Sequence, residues 1–289
     1  MSRRTLLATG IVTLWLGGLG VLAHRAIFTG QKDRLARAAL FLSPGADYYE
    51  ISNASGQIGF ATSTIDTSAI GVSITDRVIA RIGSDSEARH VAARSAVQLT
   101  RALRLRHFAY QLGEDVGPYV LWGTVSGDTL LTLVTRSGDV PPDTQRVRLA
   151  EPLLLPTMVP LAIALGDRPK VGASYTYQVF DPIRAAMSRM TVHIRAESLF
   201  VVPDSAREDS ATARWLPAHQ DTVRAWRIEQ DGGRLLTGWV DESGRMVQAA
   251  PLPGFVMHRS AYEIAVLNWS NRTAGLSPPH VQPSSHQTP

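Results

Sequence analysis

From about residue 45 to residue 268, apolar and polar positions alternate with a period of two, the pattern of half-buried strands. Tyr48 to Ser52 and Gln57 to Thr64 flank Asn53-Ala54-Ser55-Gly56, which reads as a hairpin turn. Val72, Ile74, Val78, Ala80 and Ile82 alternate with Ser73, Thr75, Arg77 and Arg81, so one face of this strand is apolar and the other wet. The stretch 89–112 fits two templates. Ala92, Ala96, Leu99 and Leu103 would form a helical stripe, but the larger set Val91, Ala93, Val97, Leu99, Leu103 and Leu105 alternates and predicts strand. The alternation resumes in the opposite phase at Phe108, Tyr110 and Leu112, which predicts a bulge or bend between.

Further hairpins are expected around Ser126-Gly127-Asp128, Asp231-Gly232-Gly233 and Glu242-Ser243-Gly244. Only one segment in this region reads as helix: Pro156 suits a first turn, Leu154, Met158, Leu161 and Leu165 share a face, and Gly166 with Pro169 ends it. Asp204 to Asp221 is polar and reads as an insertion loop. The fold expected is mainly β, a single large antiparallel sheet, strongly curved or a partial barrel, with one packed helix. Such a sheet must cover its apolar concave face. Phe60, Phe108, Tyr110 and Trp122 are the bulky candidates for that face, and Leu161 belongs to the helical stripe that would plug it. A lipid-like ligand is the alternative occupant.

The N-terminus adds a different kind of segment. Leu6 to Ala23 holds 18 residues without a charge behind Arg3 and Arg4, and at ~1.5 Å per residue it is about 27 Å long, enough to span a hydrocarbon core. It predicts an N-terminal transmembrane helix holding the chain at the inner membrane, with the folded domain on the periplasmic side. A cleaved signal peptide that releases the domain into the periplasm is the alternative. The organisation expected is a membrane anchor or signal over 1–27, a short helical linker over 28–44 in which Leu35, Ala38, Ala39 and Leu42 share a face, a β domain over 45–268, and a disordered tail over 269–289.

Composition removes several chemistries. With no cysteine there is no disulfide framework, thiolate metal site or thiol nucleophile. The net charge of +4 is modest and its arginines are dispersed, so no nucleic-acid partner is expected. The partners expected are the membrane, through residues 6–23, and an envelope protein or a lipid. The eight histidines show no ligand spacing, and neither a GxSxG elbow, a P-loop nor a GxGxxG occurs. Hence no metal, cofactor or catalytic residue is assigned. His219 with Asp221 reads as a surface pair. Asp181, between Phe180 and Pro182, reads as an Asx turn or cap, and Asp241 with Glu242 adjoins a tight turn.

The runs Gly56-Gln57-Ile58-Gly59-Phe60-Ala61-Thr62-Ser63-Thr64-Ile65-Asp66-Thr67, Ile74-Thr75-Asp76-Arg77, Leu103 to Phe108, Leu155-Pro156-Thr157, Phe180-Asp181-Pro182 and Trp239-Val240-Asp241 resemble the N-terminal, membrane-anchored β-rich region of bacterial transglutaminase-like proteins. The resemblance covers about 45–268. In that family a Cys/His/Asp module follows this region, and this chain carries no cysteine, so no catalytic role is carried over. The resemblance implies a non-catalytic envelope scaffold or interaction module, a truncated or stand-alone copy. A periplasmic β domain binding a lipid or another hydrophobic ligand is the alternative.

Overall fold

Each alternating stretch forms a strand. The computed structural model describes residues 42–83, 89–114, 119–166, 169–232, 237–250 and 254–274. The first arm comprises β1 (Gly45–Asn53), β2 (Gly56–Thr67), β3 (Gly71–Ile82), β4 (Arg89–Thr100), β5 (Leu105–Glu114), β6 (Tyr119–Ser126), β7 (Leu130–Ser137) and β8 (Asp143–Arg148). After a two-residue strand, β9 (Leu153–Leu154), a 3-10 turn over Pro156–Met158 leads into α1 (Val159–Gly166). The second arm comprises β10 (Ser174–Asp181), β11 (Ala186–Asp209), β12 (Arg214–Gln230), β13 (Thr237–Asp241), β14 (Met246–Ala249) and β15 (Val256–Ser260). A π-helical turn over Glu263–Leu267 then leads into α2 (Asn268–Ala274).

The fifteen strands among the described residues belong to one open sheet, in the order β8 through β1, then β15 back through β9. Every pairing is antiparallel except β9 with β10. The two arms therefore meet in the middle, where β1 pairs with β15. The edge strands β8 and β9 are joined by residues 149–152 alone. Five residue steps reach about 18 Å at most, whereas a flat sheet of fifteen strands would hold its edges about 67 Å apart at a spacing of ~4.8 Å. The sheet must roll up. Contacts between the arms agree: the rings of Phe108 on β5 and Phe180 on β10 lie 5.5 Å apart, and Tyr119 on β6 donates to the Pro182 carbonyl at 3.0 Å.

Inside the roll, α1 separates two apolar clusters. Met158 and Leu161 pack with Phe108, Leu121, Leu131 and Phe180, while Val159 and Ile163 pack with Val192, Ile194, Trp226 and Ile228. The helix plugs the sheet as its first stripe predicts, but it is buried on a second face too. Its sequence, VPLAIALG, carries no polar residue to mark an outside. Strand β10 is likewise covered on both sides, Val179 entering one cluster and Phe180 the other.

Three local expectations are corrected. The stretch 89–112 is two strands, not one, joined by a tight turn closed where the Thr100 hydroxyl accepts from the amides of Ala102 and Arg104, with Leu103 in the left-handed region at φ 55°. The expected bulge is present beyond that turn, on β5: Leu99 pairs with Leu105 but Gln98 with His107, so Arg106 is the extra residue and the inward phase passes from Leu105 to Phe108. Asp204 to Asp221 is no loop: it is the outer half of the β11–β12 hairpin, turning over Asp209–Arg214. This half stands clear of the core with most positions exposed, and a strand with no buried face has no alternation to read. Residues 269–274, assigned to a disordered tail, are helical instead, because Trp269 is buried and Asn268 exchanges two hydrogen bonds with the Trp215 backbone. The anchor segment 6–23 and the linker stripe up to Ala39 lie outside the described residues. Among the described residues no helix is long and apolar enough to cross a membrane.

Packing requires a glycine at position 123. Gly123 on β6 faces Phe108 across the ladder, and a Cβ there would lie 2.0 Å from the ring. With the ring held by Phe180, Gly123→Ala should cost about 1–3 kcal/mol, the usual range for overpacking, read as a lower urea midpoint.

Candidate functional site

The inner face of the first arm is not uniformly apolar. Cross-strand register aligns Asp47, Ser63, Asp76, Ser95 and Tyr110 in one row across β1 to β5. The neighbouring rows are Tyr49, Ala61, Val78, Ala93 and Leu112 on one side, and Ile65, Ile74, Val97 and Phe108 on the other. A polar stripe thus runs between two apolar ones. Where β1–β3 face β13–β15 beneath the start of α1, the roll is unfilled and leaves a cavity of about 430 Å³. Tyr49, Ala61, Ile65, Leu161, Met246 and Met257 line much of it, and Asp47, Ser63, Asp76, Thr157 and Arg245 bring polarity to it.

Asp76 is the centre of the stripe. Its Oδ1 accepts from the Ser63 hydroxyl at 2.7 Å and its Oδ2 from the Ser95 hydroxyl at 2.9 Å, with Thr157 a further hydroxyl partner. Burial pushes its carboxyl above the ordinary carboxylate value, against those hydrogen bonds, which favour the ionised form. Burial likewise raises the Tyr49 phenol.

Beside Asp76 lies an ion-pair network that closes the junction of the two arms. Arg245 donates to Asp47 and to the Ser43 carbonyl. Arg259 on β15 donates to Asp241 at 2.8 Å and lies 3.6 Å from Asp47; although burial opposes its charge, Asp241 and Asp47 hold the guanidinium protonated. Asp241 Oδ1 also accepts from the amides of Ser243 and Arg245 and from the Ser243 hydroxyl. This fixes the turn that presses Gly244, at φ +81°, against α1, where a Cβ would lie 2.7 Å from Leu161 Cα. Asp181 makes the corresponding Asx turn, accepting from the amides of Ile183 and Arg184, as its sequence context predicts.

The five residues predicted for the concave face do not act together. Phe108 and Leu161 are core, and Tyr110 packs against the same cluster half-buried. Trp122 is 41% exposed on the outer face, because Leu121 takes the inward position of β6 next to it. Phe60 is buried, yet adjacent Ala61 lines the cavity, so alternation sends Phe60 to the opposite face. Leu161 alone of the five reaches the cavity. The residues missed were the polar ones in the apolar phase: Asp76 sits between Ile74 and Val78, and Ser95 between Ala93 and Val97. An acid at an inward strand position was the available signal.

Two surface constellations carry residue types that could do chemistry. The Ser174 hydroxyl meets His193 Nδ1 at 2.7 Å, and His193 Nε2 meets Asp231 at 2.7 Å. With the Asp231 side chain 64% exposed, the acid is solvated where a hydrolase triad buries it, and the group serves as a cross-strand surface network. Asp204, at a bulge in β11, pairs with His219 at 2.8 Å, and Asp221 lies close by. All three are exposed, which agrees with the surface reading of His219 and Asp221.

Because the folded state holds the Asp76 proton more tightly than the unfolded chain, ionising it costs stability as pH rises from the ordinary carboxylate range through its raised value. Asp76→Asn should therefore raise the urea midpoint at pH 8 relative to the native chain, and the difference should shrink toward pH 3. A lower midpoint at pH 8 would contradict this.

No family model matches the chain, and no curated protein does. Among solved structures it is similar to a β-barrel-like protein of a domain of unknown function, DUF1849, from Brucella abortus, at 14% identity and a TM-score of 0.47, covering 76% of this chain and 95% of that one. No residue role is carried across from it.

Proposed function

We propose that this domain binds a small, mostly apolar ligand in the cavity between its two arms, as an envelope protein tethered by residues 6–23. The observation that carries the reading is the polar stripe. Desolvating Asp76 costs stability, and an apolar row at the same register would fill the roll without that cost, so a carboxyl kept at the wall of a cavity of about 430 Å³ has the character of a ligand-orienting group. The support for the tether is its uncharged 18-residue length and basic flank. Native mass spectrometry of the full chain released from membranes tests both parts. Stoichiometric co-purifying small apolar ligand is expected, whereas a stably folded, ligand-free protein refutes the cavity reading, and a full-length product in the soluble fraction refutes the tether.

A second reading is an interaction module that resembles the N-terminal region of transglutaminase-like proteins. Leu199 and Val201, two residues apart on one face of β11 and 65% and 64% exposed, favour it. Replacing both with Ser would then remove binding to an envelope partner while leaving the cavity and its ligand untouched.

A further inference from the structure

We infer that the cavity selects an aliphatic ligand whose head group is uncharged or cationic and donates a hydrogen bond to Asp76, and that it rejects the same chain ending in a carboxylate. This rests on the cavity being a binding site and adds the chemistry of its occupant.

The first reason is hydrogen-bond capacity. A carboxylate offers roughly four acceptor sites. The hydroxyls of Ser63, Ser95 and Thr157 account for three of them at Asp76, which leaves an acceptor for a ligand donor at the wall. The partial accessibility that Asp76 retains is in keeping with its place on the cavity wall.

The second reason is charge. Arg245, which lines the cavity, is committed to Asp47 and Ser43, and Arg259 behind it is committed to Asp241 and Asp47. Arg77 borders the cavity but is exposed, so water screens it. An anionic head group would thus meet the carboxyls of Asp47 and Asp76, and among the described residues lining the cavity the one cation not already paired, Arg77, is the screened one. An ammonium or hydroxyl meets an acceptor instead. The remaining wall, from Tyr49 through Ala61, Ile65 and Met257, is suited to a chain of methylenes.

Calorimetric titration of the full-length protein in lipid nanodiscs at pH 8, with empty nanodiscs as the blank, tests this using octylamine, octanol and octanoate. Octylamine should bind tightest, octanol next, and octanoate at least about tenfold more weakly than octylamine, the separation that one lost charged hydrogen bond gives. Asp76→Asn should bring octylamine down to the level of octanol and narrow the gap to octanoate. Ala61→Phe, which fills the cavity, should abolish all three, with circular dichroism confirming that both variants fold. Octanoate within about threefold of octylamine, or an unchanged gap in Asp76→Asn, overturns the head-group selection and leaves the cavity reading standing. Absence of binding by all three removes both, and binding that survives Ala61→Phe places the ligand elsewhere.

Discussion

Ile163→Asp should unfold the domain in water at room temperature. Ile163 is 1% exposed on the second buried face of α1, surrounded by Val179, Val192, Ile194 and Ile228. None of these neighbours can pair with a carboxylate. An unpaired charge there, or the protonation that would relieve it, costs several kcal/mol, and the lost isoleucine packing adds about 2–5 kcal/mol. Their sum reaches into the range of about 5–15 kcal/mol typical of a whole domain. Loss of the cooperative transition, followed by tryptophan fluorescence at Trp226 in the same cluster, is the expected result. A domain that still melts cooperatively within a few degrees of the native chain would mean that α1 is not the plug. Leu161→Asp offers an instructive contrast: Leu161 lines the cavity as well as the first cluster, so its carboxylate has a route to water and should be less damaging.

The difference between these two positions bears on what the sequence reveals. Strands, turns and one helical plug were legible because each obeys a local rule: period-two alternation in β3, Asn53-Ala54-Ser55-Gly56 at the first turn, Pro156 ahead of α1 and Gly166 closing it. The second buried face of α1 was not legible, since a helix that is apolar all round shows no phase. The outer half of β11–β12 was hidden for the opposite reason: most of its positions are exposed on both faces, so polar residues and the few apolar ones follow no period. Trp122 misled because bulk was read as burial, although Gly123 and Leu121 beside it hold the inward positions. The site itself is non-local. Asp47, Ser63 and Asp76 become one row only through the register of three strands, and Arg245 reaches Asp47 across nearly two hundred residues of chain.

That long-range pair belongs to the network whose loss should have the second largest effect. Arg259 and Asp241 are buried, at 11% and 9% side-chain exposure, and Arg259 also faces Asp47. Removing the cation leaves Asp241 Oδ2 without its partner and Asp47 with Arg245 alone. Breaking a buried pair in this way typically costs about 3–5 kcal/mol, because the remaining charge stays desolvated. Arg259→Met keeps most of the side-chain volume, so the charge and not the packing is tested. The damage should spread in a defined direction. Asp241 organises the turn that seats Gly244 on Leu161, and its loosening should expose the α1 amides to hydrogen exchange before those of β4 and β5. Adding Asp241→Asn to Arg259→Met should recover part of the loss, since the amide carries no charge and its oxygen still accepts from the turn amides. A double-mutant cycle should give a coupling above about 1 kcal/mol, the scale of directly interacting groups. Additive losses, or uniform exchange across α1 and β4, would show that the network does not hold the two arms together around the cavity.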